Sequence, residues 1–295
     1  MTPVETWLQH LAAERRLSPH TVSAYRSDLA VLLQQAGDTP LEALTLTDIR
    51  GTLVKLRGRG LSAASVARHV SSWRGFYAFA CRRLAYPRNP CVGVRPPKSA
   101  KALPQVLSPD ACTQLLDSRD AAADDWLAAR DRAMFELFYS SGLRLAELVG
   151  LDVLAIDLST GEAQVTGKGR KTRIVPVGQA ARTALAAWLP LRLSVARPDH
   201  AALFISQRGD RLSPRSVQLR LQRWAVQAGM NQHIHPHLLR HAFATHVLQS
   251  SGDLRAVQEM LGHANISTTQ VYTHLDWQHL AKVYDQAHPR ARKKS

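Results

Sequence analysis

Cysteine, acidic side chains and long apolar runs are all scarce in this chain, and each shortage removes a class of function. Only three cysteines occur among 295 residues, Cys81, Cys91 and Cys112. Their number is odd and they form no CxxC pair, so neither a disulfide framework nor a cysteine zinc site is expected, and a reducing compartment fits. No stretch approaches ~18 uninterrupted apolar residues, so no membrane-spanning helix is expected. The start MTPVETWLQHLAAERR carries acidic residues and lacks the apolar centre of a secretory leader. A cytoplasmic protein without a membrane partner is therefore expected. Internal repeats and low-complexity segments are missing as well.

The shortage of acid is the most informative of these. Aspartate and glutamate number 23 against 38 lysines and arginines, a formal net charge of +15 and a pI near 10.4. A basic protein that was merely soluble would carry more acidic residues. The balance favours a polyanionic partner, nucleic acid first. The length exceeds that usual for one domain, and two are expected. Residues 1–100 hold 14 basic and 6 acidic side chains and residues 101–295 hold 24 and 17, so both halves are basic. Two basic lobes on an extended linker would suit a duplex.

Apolar spacing predicts a mainly α fold with a small β-hairpin, in two domains. Over 1–92, Val4, Trp7, Leu8 and Leu11 fall at helical intervals; Ser18 and Pro19 precede Val22, Tyr25, Leu29 and Leu32; Thr47 precedes Ile49, Leu53 and Leu56; and Ser62 precedes Val66, Val70, Trp73 and Tyr77. Four such helices make a small bundle. Its last helix carries Arg68, Arg74, Arg82 and Arg83, candidate phosphate contacts as a set. The proline-rich stretch PRNPCVGVRPPKSAKALPQVLS predicts a linker over 93–105. In the second domain, 106–295, SPDACTQLLDS and WLAARDRAMFELFYSSG read as helices. GEAQVTGKGRKTRIVPVG reads as a hairpin whose basic tip includes Lys168, Arg170 and Lys171. Helices resume from SPRSVQLRLQRWAVQAG.

Chemistry-bearing residues lie in order along this second domain. Arg144 follows Gly142 at the amino end of a helix, where free amides favour an anion. His237 and Arg240 are three apart in the first turn after Pro236 and share a face. His263 follows Gly262, and Tyr272 lies on a short polar segment. His233, His235, His237 and His241 have no carboxylate or cysteine company and no HExxH spacing, so no metal is expected. Two arginines could neutralise the non-bridging oxygens of a phosphodiester, doing the electrostatic work of a metal ion. A tyrosine oxygen could then attack phosphorus, and the covalent phosphotyrosine would conserve bond energy for rejoining without ATP. Histidines could move protons, and Lys168 could protonate the departing 5′ oxygen. No cofactor is expected.

The order of Arg144, Lys168, HPHLLRH, LGH and VYTH resembles the tyrosine recombinase (phage integrase) family across the whole second domain. The amino-terminal bundle is similar to the core-binding, SAM-like domain of that family. The compact length and the ending LDWQHLAKVYDQAHPRARKKS further resemble its XerC subfamily, which resolves bacterial chromosome dimers. A lambda-type integrase would carry an extra arm domain. The resemblance implies a catalytic set of Arg144, Lys168, His237, Arg240, His263 and Tyr272, with Tyr272 as the nucleophile. Ala242 departs from it, where many relatives have serine. The resemblance also implies double-stranded DNA with a dif-type site, a heterotetramer of two subunits each of this chain and a XerD-like recombinase, and a septal DNA translocase, FtsK, acting through that partner. A XerD-type paralogue or another integrase or transposon recombinase, a type IB topoisomerase and a non-catalytic DNA-binding protein are the alternatives. Trp277, Leu280, Ala281 and Tyr284 recur at i, i+3, i+4 and i+7, an apolar stripe expected to pass to a neighbouring subunit or, failing that, to pack on its own domain.

Overall fold

Helix caps set where the chain begins to coil. Thr2 accepts a bond from the Glu5 amide, Ser18 from Thr21 and Ser62 from Ser65, and Pro3 and Pro19 supply a preset φ in the first turns. In the computed structural model, which describes residues 1–97, 106–118, 125–167, 171–197, 200–262 and 274–291, the chain divides into two units, Met1–Leu103 and Pro104–Ser295. Lys168, Arg170, His263, Tyr272 and most of the expected linker lie outside the described residues.

The first unit holds helices α1 (Pro3–Ala13), α2 (Pro19–Ala36), α3 (Leu46–Gly58) and α4 (Ala63–Arg83). The third starts behind Thr45, two residues before the expected Thr47, because Asp48 reaches back to the Thr45 amide and completes a capping box. Trp73, Phe76 and Tyr77 of α4 are the fully buried centre. The Trp73 indole donates to the Asp28 carbonyl at 2.7 Å and the Tyr77 hydroxyl to Leu41 at 2.9 Å, so each buried polar tip has a partner. Cys91 and Val94 belong to the same core, which therefore runs past residue 92.

The second unit holds α5 (Pro109–Asp117), α6 (Asp125–Ser141), α7 (Leu145–Gly150), β1 (Ile156–Asp157), β2 (Glu162–Thr166), β3 (Thr172–Pro176), α8 (Gln179–Val195), α9 (Pro214–Gln227), α10 (Pro236–Ser251), α11 (Leu254–Leu261) and α12 (His274–Ala287). The hairpin pairs antiparallel from Glu162 opposite Pro176 to Thr166 opposite Thr172. Sequence spacing did not predict the short β1, which pairs with β2. Nor did it predict α8, whose internal Pro190 argues against a helix. Both Pro190 and Ala186, whose carbonyl loses its partner, lie on the exposed face, where water can serve that carbonyl. Buried Trp188 anchors the other face.

From Leu280 onward the carboxyl-terminal stripe is folded onto its own domain, the packing that the expectation of a tail reaching a neighbour had set aside. Leu280, Tyr284, Ala287 and Ala291 all join the main core. Tyr284 is hydrogen-bonded to Ser140, which also accepts from the Gly178 amide. A Cβ on Gly178 would fall 2.3 Å from the Tyr284 hydroxyl, so the tail needs glycine there. Arg290 ties the end down by pairing with buried Glu136 and with Asp117. Among the described residues no helix is long and apolar enough to cross a membrane.

His288 sits inside this seam, stacked on Tyr284 with ring centroids 4.9 Å apart. Burial, helped by His246, pushes its pKa down to about 3. It is thus neutral in the fold, while in the unfolded chain it takes a proton below ~6.5. Its contribution to stability is whole above that value and is lost as pH falls towards 3, at about 1.4 kcal/mol per pH unit. Urea unfolding at pH 7 and pH 5 should show the unsubstituted chain losing about 2 kcal/mol more than His288→Gln. Equal losses in the two proteins would mean that the imidazole titrates normally.

Candidate active site

A sharp reversal places Arg144. After α6 the chain turns at Gly142, with φ 56, where a Cβ would lie 2.3 Å from the Phe243 ring, so no other residue fits. Two residues later Arg144 caps α7, and its backbone N–H donates to Glu147 Oε2 at 2.7 Å. The amide that the sequence seemed to offer an anion is therefore already taken. What remains for a ligand is the guanidinium.

Glu147 is the shared counter-ion of the site. Its Oε1 accepts from Arg144 Nη1 at 2.9 Å and from Arg173 Nη1 at 2.7 Å, and its Oε2 accepts from Arg173 Nη2 at 3.0 Å. Arg240 Nη1 stands 3.9 Å from Oε2. Burial alone would raise the pKa of this carboxyl, but the bonds from Arg173 and then Arg144 outweigh it and hold the group below the usual range.

The same three arginines grip the carboxyl end of α11. Arg173 Nε donates to Met260 at 2.9 Å, Arg240 Nη2 to Leu261 at 2.7 Å and Arg144 Nη2 to Gly262 at 3.0 Å. Carbonyls there lack partners within the helix and lie at the negative end of its dipole, so cations satisfy both needs. Arg240 also donates to the Gly142 carbonyl. Burial, then the charge of Arg144, lowers the Arg240 pKa to about 10, which leaves it a cation at neutral pH. Exposure separates their roles: the Arg144 side chain is 42% exposed, Arg240 9% and Arg173 7%. Arg144 faces outward with the other two behind it.

His237 is exposed in the first turn of α10, three residues before buried Arg240. His235 caps that helix. Among the described residues no three histidine, cysteine or acidic side chains come together as a metal site would require. Lys171 is exposed just before β3, and its carbonyl accepts from the Gly167 amide at 2.8 Å across the hairpin. The four α4 arginines are exposed, yet each touches its own unit. Arg68 pairs with buried Asp28 at 2.8 Å, Arg74 donates to Val94, Arg82 to Ala78, and Arg83 lies 3.6 Å from Glu14.

Sequence reasoning passed over Glu147 and Arg173. Both left a signal. Glu147 lies three residues after Arg144 in RLAEL, the capping spacing. Arg173 stands on the inward phase of β3 with Val175, where a charge is out of place unless something pairs with it.

Profile comparison matches residues 105–279 to the Phage integrase family and residues 4–84 to its N-terminal SAM-like domain. The chain belongs to the phage integrase family. It is a DNA strand-exchange enzyme of the tyrosine recombinase type, and its relatives place it in the XerC branch. Tyrosine recombinase XerC of Pseudomonas aeruginosa is 51% identical over 294 residues, 99% of this chain and 96% of that one. XerC of Alcanivorax borkumensis is 51% identical over 292 residues, covering 99% and 95%. Among solved structures, the XerA recombinase is 31% identical over 98% of each chain, with a TM-score of 0.51. XerH bound to palindromic difH substrate shares the fold at a TM-score of 0.71, with 23% identity over 96% of this chain and 83% of that one.

In this recombinase, Glu147→Ala would leave Arg144, Arg173 and Arg240 facing one another with no carboxylate among them. Urea unfolding of the full chain should register a loss of about 3–5 kcal/mol, the cost of stripping a buried charge of its partner. A loss below about 1 kcal/mol would show that the helix-end carbonyls suffice.

Proposed function

We propose that this chain cuts and rejoins double-stranded DNA at a dif-type site, in the cytoplasm, through a 3′-phosphotyrosine on Tyr272. Arg144 and Arg240 carry the reading, because they converge from two separate elements onto the residues that directly precede His263. They would bind the non-bridging oxygens of the scissile phosphate. The Tyr272 oxygen attacks phosphorus, giving up its proton to His237 or His263. The bond to the 5′ oxygen breaks, and Lys168 supplies the proton that oxygen needs. A 5′ hydroxyl from the other duplex then reverses the step and rejoins the strand, so neither nucleotide nor metal enters the balance.

The remaining tyrosines support the choice of nucleophile. Tyr284, the next candidate along the chain, is buried against Ser140, and burial pushes its phenol well above the usual range. Tyr77 and Tyr139 are buried and hydrogen-bonded. Tyr25 stacks on Trp7 and Tyr86 packs on Phe76, both within the first unit. The likeness to XerC proteins supports pairing with a XerD-like recombinase, and the proposal extends this to a two-plus-two tetramer under the control of a septal translocase such as FtsK. A tail handed to the neighbour would first have to release the Arg290 and Tyr284 contacts. Arg82 and Arg83 are the α4 arginines best placed to turn to phosphate, since Arg68 already serves a buried carboxylate.

A nicked suicide substrate tests the chemistry. The unsubstituted chain should form a covalent adduct and, with its partner, a two-site junction product; relaxation of supercoils without junctions would point to a topoisomerase. Tyr272→Phe should bind the half-site normally and form no adduct. For Lys168→Ala, cleavage should fall about 10²- to 10⁴-fold and recover when sulfur replaces the bridging 5′ oxygen, because that leaving group needs no proton. Arg144→Ala should stay impaired on the same substrate. Equal failure of both would remove Lys168 from the role.

A further inference from the structure

Arg173 has no assigned part in the reaction, yet all three of its nitrogens are committed at the centre of the site. It holds Glu147 by two parallel bonds and the Met260 carbonyl by a third. At 7% exposure it has no face left for substrate. A Cβ on Gly262 would lie 3.2 Å from the Arg173 side chain, so the turn that leads to His263 rests directly on it. Its backbone belongs to β3, the strand that leaves the basic tip containing Lys168.

Arg144 is held differently. It gives Glu147 a single side-chain bond and Gly262 another, and its guanidinium is the exposed one. A carboxylate with both oxygens open takes an arginine in a two-point fork, the strongest arrangement for that pair. Arg173 occupies that fork. The Arg144 guanidinium is thereby kept to one bond with the carboxylate, which a phosphate oxygen can replace.

We propose that Arg173 is a positioning residue for phosphoryl transfer, which occupies the Glu147 carboxylate and pins the end of α11 so that Arg144 stays free to bind the scissile phosphate. The inference rests on the recombinase reading of the site. Without Arg173, Glu147 closes its fork on Arg144 and draws it away from the DNA.

A double-variant cycle tests this, using the rate of covalent adduct formation on a nicked half-site. Arg173→Met should bind the half-site with near-normal affinity and cleave on the order of 100-fold more slowly, the cost of misplacing a reacting group by ~1 Å. In an Arg144→Ala background the same change should cost less than about threefold, because the group it acts through is already gone. Losses that multiply in the double variant would overturn the proposal, since a residue needed only for packing, or acting on its own, is indifferent to Arg144. Should Arg173→Met fail to fold, Arg173→Lys completes the cycle. It keeps the charge but cannot make the fork, so its smaller defect should vanish in the Arg144→Ala background, and persistence of that defect would again count against the role. Failure of the unsubstituted chain to form an adduct, or an adduct surviving in Tyr272→Phe, would instead sink the recombinase reading and leave a result distinct from a multiplicative cycle.

Discussion

One carboxylate lets the catalytic unit gather three arginines in a small space. Guanidinium groups that close repel one another strongly in a partly dehydrated interior. Glu147 supplies full negative charge on one side, and the carboxyl end of α11 supplies partial charge on the other. Arg144, Arg173 and Arg240 each bond to a different carbonyl of Met260, Leu261 and Gly262. Four elements must agree for this to happen: the turn at Gly142 with α7, strand β3, helix α10 and the end of α11. On the proposed reading, a phosphate arriving at Arg144 would meet a guanidinium whose geometry folding has already set.

The first unit contains a weaker version of the same device, and comparing the two shows what decides a carboxyl's charge. Asp28 is fully buried and faces Arg68 at 2.8 Å and His69 at 3.2 Å. Arg68 is half-exposed, so water screens its help, and burial wins: the carboxyl is shifted upward. At Glu147 the partners are a buried two-point arginine, a second arginine and a backbone amide, and the shift is downward although this carboxyl is buried too. The number and dryness of the donors, more than burial, set the sign.

The carboxyl-terminal seam shows a different economy of polar groups. Tyr284, Ser140 and the Gly178 amide form a chain of bonds, and the neighbouring Gln179 amide donates to the Ala291 carbonyl, so the last turns are closed over α6 and α10. Arg290 ends it on Glu136 and Asp117. Apolar spacing correctly marked the stripe, but spacing says only that a face must be covered and leaves open by what.

Local signals carried much of the fold. Caps at Ser18 and Ser62, the change from helical to alternating spacing over GEAQVTGKGRKTRIVPVG, and Gly142 at a helix end all act within a few residues and were readable from the sequence. So were Arg144 and Arg240, which the structure brings to the same helix end, because their places on short motifs survive without any knowledge of the fold. Long-range pairing was not readable. Nothing near Glu147 says that its main partner is Arg173, 26 positions away, or that Arg173 in turn braces Met260, 87 positions further on. The start of α3 and the whole of α8 turned on which carbonyls find water or a side chain. The chain by itself determined its charge, most of its helices and the motifs that mark its candidate site; only tertiary structure decided which charges share a carboxylate, because counter-ions are chosen by proximity in space and proximity is what folding creates.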